Sequence, residues 1–247
     1  MKQLAGFLTG FSGGLLGGGV GIGGGIVMIP LMTHFLKLTQ HQAHGASLAA
    51  IIFTASISAA TYSIHGDVNW KASLLIAASA IFTARFGALF AHSLPEKKLK
   101  KIFGLFLVFA SCLLLIKGYL PVSGFTLASW ANTLVFLAIG ALTGFMSGMM
   151  GVGGGAVMVP LMVILANMGQ HIAQGTSLLA MIPISLSGSF THYKLGNIRR
   201  DLVLGLAIGS LIGGFLGASF AKALPEFYLR CIFVGVGLWM SIRYLRA

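Results

Sequence analysis

Acidic residues are almost missing from this chain. Its 247 residues hold four Asp and Glu against 16 Lys and Arg. Charged residues make up 8% of it, where a soluble domain carries about 25%. Such a chain cannot cover a water-exposed surface. The four carboxylates, Asp67, Glu96, Asp201 and Glu226, fall in expected loops or at the ends of apolar runs. No mid-membrane carboxylate is therefore expected to relay protons, and their shortage favours an anionic ligand over a cation. Nothing supports an intramembrane enzyme: paired catalytic carboxylates, a nucleophile beside a base and a metal-ligand cluster at helical spacing are all missing. Cysteine is scarce as well. Cys112 and Cys231 fall inside apolar runs and are expected as buried small side chains. With no histidine motif beside them they make a poor metal site, and no metal or cofactor is expected.

Apolar sequence fills the rest, at 57% of residues. Long runs recur at Ala43–Ile64, Ala72–His92, Leu99–Lys117, Ala173–Tyr193, Leu202–Ala221 and Tyr228–Leu245. Each is close to the ~20 residues that cross a bilayer as a helix. The expected class is an all-α polytopic membrane protein with no soluble domain. Lys2 and the apolar residues after it look like a secretion signal, but no convincing cleavage site follows, so the segment is read as retained. The basic excess suits orientation in a membrane and anionic lipid. It is not a nucleic-acid footprint, because the charges sit between apolar runs.

The chain also repeats itself. GGGVGIGGGIVMIPLM, ending at Met32, returns as GVGGGAVMVPLM, ending at Met162. The same offset of 130 pairs Gln40-His41 with Gln170-His171 and Leu94-Pro95-Glu96 with Leu224-Pro225-Glu226. We therefore expect one membrane domain over 1–247, built from repeats at 1–120 and 130–247. Each repeat is a glycine-broken segment plus three transmembrane helices. In the first, the segment reads as an arm Leu4–Leu16, a gap Gly17–Gly25 and an arm Ile26–Leu36. Each arm is too short to cross alone, so the segment is one kinked span or a re-entrant hairpin.

Positive charge chooses between these. With two re-entrant helical hairpins the repeats are inverted. A cytoplasmic N-terminus then puts Lys2, Lys37, Lys97, Lys98, Lys100, Lys101, Lys194, Arg199, Arg200, Arg243 and Arg246 inside. Only Lys71, Lys117, Lys222 and Arg230 fall outside. Eight full spans would split the charges almost evenly, so the positive-inside rule favours inverted repeats in the cell (inner) membrane. Glycine at every fourth position (Gly6, Gly10, Gly14, Gly18; Gly140, Gly144, Gly148; Gly205, Gly209, Gly213, Gly217) marks close helix packing within the chain.

The breaks carry the candidate chemistry. Glycine permits positive φ and lets a ligand reach the main chain. A helix that resumes at Gly25 or Gly155 presents free N–H groups and a positive dipole end. Gly21, Gly23, Gly24 and Gly25, with Gly151, Gly153, Gly154 and Gly155, are thus candidate anion-binding positions; tight helix crossing is the plainer reading. Gly19, Gly21 and Gly24 match a dinucleotide fingerprint only formally, because no βαβ unit surrounds them. Ser47, Thr176 and Ser177 follow the breaks and offer neutral donors, unless they bond their own helix backbone. His44 is placed to touch a ligand or carry a proton, or to be a histidine at the membrane surface; His192 is a second proton candidate. Arg85 is the one basic residue well inside a run. It either meets the ligand or a gate, or snorkels toward the Lys97–Lys101 cluster.

These doubled signatures (Gly23–Pro30 and Gly153–Pro160), with Gly45-Ala46-Ser47-Leu48 and Gly175-Thr176-Ser177-Leu178, resemble the sulfite exporter TauE/SafE family over nearly the whole chain. The resemblance implies a permease and points to a small, sulfur-containing anion. A secondary transporter is the expected function and a passive anion channel the alternative. A coupling proton or sodium ion, the direction of transport and the oligomeric state are left open.

Overall fold

The computed structural model describes residues 2–117, 129–221, 223 and 225–246. Among them every helix and its repeat partner keep the sequence offset. The elements are α1 (Lys2–Val20), α2 (Gly25–Phe35), α3 (Gln40–Ile64), α4 (Trp70–Ser93) and α5 (Glu96–Lys117). They recur as α6 (Ser129–Met150), α7 (Gly155–Leu165), α8 (Gln170–Lys194), α9 (Arg200–Ala221) and α10 (Glu226–Leu245). No strand occurs among the described residues. Helices α3, α4, α6 and α9 contain stretches long and apolar enough to cross a membrane. The expected repeat boundary at residue 120, together with Lys222 and Leu224, lies outside the described residues.

The breaks are shorter than the sequence implies. Helix α1 continues through Gly17–Gly19 to Val20, which leaves only Gly21–Gly24 outside a helix. It has 19 residues, and α6 has 22. At ~1.5 Å per residue these are about 28 and 33 Å long, so by length the first arm of each break is not too short to cross, whereas the second arms, α2 and α7 with 11 residues each, are. Glycine costs about 1 kcal/mol in a helix in water, which is why the run reads as a breaker. In the fold these glycines are where two backbones touch. A Cβ at Gly10, Gly14 or Gly18 would meet the α9 backbone at Leu206, Ser210 or Gly214. The facing stripe, Gly205, Gly209, Gly213 and Gly217, lies against Gln3, Phe7, Phe11 and Leu15. Gly140, Gly144 and Gly148 of α6 make the same seam with Ile76, Ala80 and Ala84 of α4. The stripes therefore pack within the chain, as their spacing implies.

Residue order along the seams gives direction. Helix α1 runs parallel to α9, and α6 parallel to α4. Helices α3 and α8 run antiparallel: Gly45 lies against His192 and Asn197, and Gly175 against Tyr62 and Asp67. Helix α5 packs against α10. At each break the chain doubles back. Met28 covers Gly13, although fifteen residues of continuous helix would hold them about 22 Å apart.

Two of the carboxylates, Glu96 and Asp201, serve helix ends. Glu96 Oε1 accepts from the Gln40 amide at 3.2 Å, beside the Thr39–Gln42 capping box that starts α3. Asp201 pairs with Arg199 at 2.8 Å and with Lys2 at 3.3 Å, joining the starts of α9 and α1. Cys112 and Cys231 correct an expectation. Both are exposed on the outer faces of α5 and α10 rather than buried. Inside or outside is no test for a small apolar side chain when lipid surrounds the helix, because lipid tails are as apolar as a core.

Candidate functional site

The two breaks meet. Gly25 lies against the Gly151 carbonyl and Val152, and Gly155 against the Gly21 carbonyl and Ile22. Each tip holds three glycines at positive φ: Gly21, Gly23 and Gly24 at 78°, 78° and 90°, and Gly151, Gly153 and Gly154 at 69°, 81° and 83°. L-residues rarely adopt that conformation, which accounts for glycine at all six positions. Ile51 and Met181 each reach both tips, beside Gly23 and Gly153. They stand midway along α3 and α8. The junction is therefore central and buried, with no room for a methyl group between its halves.

Side chains of each repeat hold the tip of the other. Ser177 Oγ donates to the Gly21 carbonyl at 2.6 Å. Its repeat partner Ser47 donates to the Gly151 carbonyl. The last carbonyls of α1 and α6 have no partner within their own helices. They are met by His44 Nδ1–H to Met149 O at 3.0 Å, His192 Nε2–H to Gly148 O at 3.1 Å, and Tyr62 O–H to Gly19 O at 3.1 Å. A carbonyl only accepts, so the proton of His44 sits on Nδ1. Its Nε2 takes a hydrogen bond from Gln40 Nε2 at 2.9 Å. His192 is the mirror tautomer, with Nδ1 facing Asn197 Nδ2 at 3.3 Å.

At the starts of α2 and α7 the pattern reverses from acceptors to donors. The Gly24 carbonyl takes the amides of Val27 and Met28, and the Gly154 carbonyl those of Val157 and Met158. Among the described residues, the amides of Gly25, Ile26, Gly155 and Ala156 have no acceptor. Neither tip cap supplies a side chain. Two half-helix N-termini thus converge where, among the described residues, no carboxylate is present to balance them.

The structure brings Ser47, Ser177, His44 and the eight tip glycines together. It does not bring Thr176 or Arg85 to them. Thr176 Oγ1 accepts from the Asn69 amide at 2.9 Å, under the α3–α4 loop. Arg85 is exposed and lines a groove between α4 and α8. His44 is wholly buried, so the membrane-surface reading does not hold. The hydroxyl protons of Ser47 and Ser177 point at carbonyls, which leaves their oxygens as acceptors in this conformation. Sequence reasoning missed Ile51, Met181 and Tyr62. An available signal was the offset itself, which pairs Tyr62 with His192 and His44 with Gln174, polar groups inside apolar runs.

A model of the family described as sulfite exporter TauE/SafE matches residues 6–244. The chain is similar to a probable membrane transporter protein of Haemophilus influenzae, 30% identical over 90% of this chain and 87% of the relative. It is also similar to the probable membrane transporter proteins YdhB and YunE of Bacillus subtilis. These are 25% and 27% identical, over 84% and 82% of this chain and 86% and 82% of the relatives. No solved structure matches. With the long apolar helices, these matches make the chain a multi-pass membrane protein of a transporter family. It belongs to the sulfite exporter TauE/SafE family.

Proposed function

We propose that this chain is a secondary transporter for a small, sulfur-containing anion bound between the two glycine tips. One observation carries the reading: paired half-helix N-termini with unbonded amides face each other at the centre of the molecule, with no carboxylate beside them. The amides of Gly25, Ile26, Gly155 and Ala156 supply main-chain donors once the tips part. Ser47, Ser177 and His44 hold the carbonyl side of each tip. A ligand enters only by separating groups that touch in this conformation, so access alternates as one repeat rocks against the other.

The same reading makes the repeats inverted and the broken segments re-entrant, within one domain over 1–247. The antiparallel run of α3 against its partner α8, and the chain reversal at each tip, support that arrangement. The N-terminus is cytoplasmic and the membrane is the cell membrane.

The test is flux of labelled sulfite or thiosulfate in liposomes carrying the purified protein. A carrier shows saturation and accelerated exchange when the same anion waits on the far side. Unsaturated flux with no such acceleration would instead establish the passive channel. Proton and sodium gradients, applied separately, identify a coupling ion.

A further inference from the structure

Arg85 and Lys194 share a groove of about 650 Å³ between α4 and α8. Ile81, Phe82, Phe86, Leu89 and Phe190 line its apolar part. The Lys194 ammonium lies 4.5 Å from the Phe190 ring centre, and Arg85 has no carboxylate or other hydrogen-bond partner among the described residues. The hydroxyls in the groove are already used. Ser187 donates to Ile81 O at 2.8 Å and Thr191 to Ser187 O at 3.0 Å. Among the described residues, neither cation in the groove is paired with a carboxylate.

The repeat shows that the fold does not need them. At the offset of 130, Phe215 stands for Arg85 and Ile64 for Lys194. A further groove of about 770 Å³ between α3, α8 and α9 is lined by no charged residue. Two cations from different repeats therefore converge on one groove, and apolar residues stand at both repeat-related positions. Intramembrane cations are costly unless something takes their charge.

Depth fits a lipid. Asn69 lies beside Thr176 and Ile81 beside Ser187, so α4 and α8 run parallel. Lys194 ends α8, and the end of α4 leads into Lys97, Lys98 and Lys101. Arg85 sits eight residues before Ser93, about 12 Å deeper along the helix at ~1.5 Å per residue. A headgroup phosphate at the interface would meet Lys194 directly and Arg85 by snorkelling. Its acyl chains would then lie on Phe82, Phe86 and Phe190.

We propose that this groove is a binding site for the phosphate headgroup of an anionic phospholipid. It is distinct from the tip junction and independent of the transported substrate. The experiment titrates the full-length protein in detergent with phosphatidylglycerol or phosphatidylcholine and follows the thermal midpoint. Phosphatidylglycerol raises the midpoint of the wild type and phosphatidylcholine does not. Arg85→Phe and Lys194→Ile, the residues the other repeat uses, each raise the half-saturating phosphatidylglycerol concentration about fivefold. Their midpoints without lipid stay unchanged; should either fail to fold, Arg85→Gln and Lys194→Gln replace them. An equal response of the wild type to both lipids overturns the proposal. So does an unchanged phosphatidylglycerol response in the double variant. A midpoint shift produced by sulfate alone and lost in Arg85→Phe would assign the groove to a soluble anion instead.

Discussion

Ser177 donates its hydroxyl proton to the Gly21 carbonyl at 2.6 Å, across 156 residues of chain. Ser47 makes the same bond to Gly151 from the other repeat. The tips are thereby anchored crosswise, each to the central helix of the opposite half. Any motion that separates the tips must move or break these bonds.

Replacing either serine with alanine leaves a buried carbonyl without its side-chain partner. Such a loss costs about 1–3 kcal/mol. Ser47→Ala and Ser177→Ala are expected to lower the thermal midpoint by similar amounts, and the double variant by more than either. A fall with only one of the two would show that the halves are not held equivalently.

Gly155→Ala is expected to abolish transport and to resist rescue. Its Cβ would strike both the Met181 side chain and the Gly21 carbonyl. Shortening Met181 removes only the first clash, so Gly155→Ala with Met181→Ala stays inactive in the liposome assay. Recovery of flux in that double variant would mean that the tips do not touch as described.

Gly169 is the contrasting case. It caps α8 at φ −58°, with nothing near its Cβ position and no side-chain hydrogen bond. The matching cap of α3 is Thr39, which accepts from Gln42 N. Gly169→Ser is expected to raise stability by a few tenths of a kcal/mol, read as a small upward shift of the thermal midpoint with unchanged flux.

Single cysteines at Lys37 and Lys97 are expected to react with a membrane-impermeant maleimide from one side, and a cysteine at Lys71 from the other. The background chain needs Cys112 and Cys231 replaced, since both are exposed. Labelling of positions 37 and 97 from opposite sides would exclude the inverted, re-entrant arrangement.

Much of the fold was legible because membrane sequence is constrained. Apolar run length marks α3, α4 and α9, three of the four helices long and apolar enough to cross, and glycine at every fourth residue marks the α1–α9 and α4–α6 seams. The tips were legible because positive φ demands glycine at Gly21, Gly23, Gly24 and their partners. Helix boundaries were less so. Gly17–Gly19 read as a gap because propensity in water was applied to residues that α2, α3 and α9 surround. That Arg85 and Thr176 lie away from the tips was not legible for a related reason: depth and residue type were visible, but the helix face each occupies was not. His44 was left between a ligand or proton role and a place at the membrane surface, because the sequence did not show that the opposite repeat covers it.

Sequence alone determined that the chain lives among lipids, that it is made twice, and that each copy carries a glycine-rich break. Those properties are local, set by solvent transfer and by backbone sterics one residue at a time. Only the tertiary structure decided that the breaks touch each other, that Ile51 and Met181 close over them, and that serine hydroxyls serve carbonyls across the repeat boundary. Such pairings depend on which helix faces which, and close packing between residues more than a hundred positions apart fixes that.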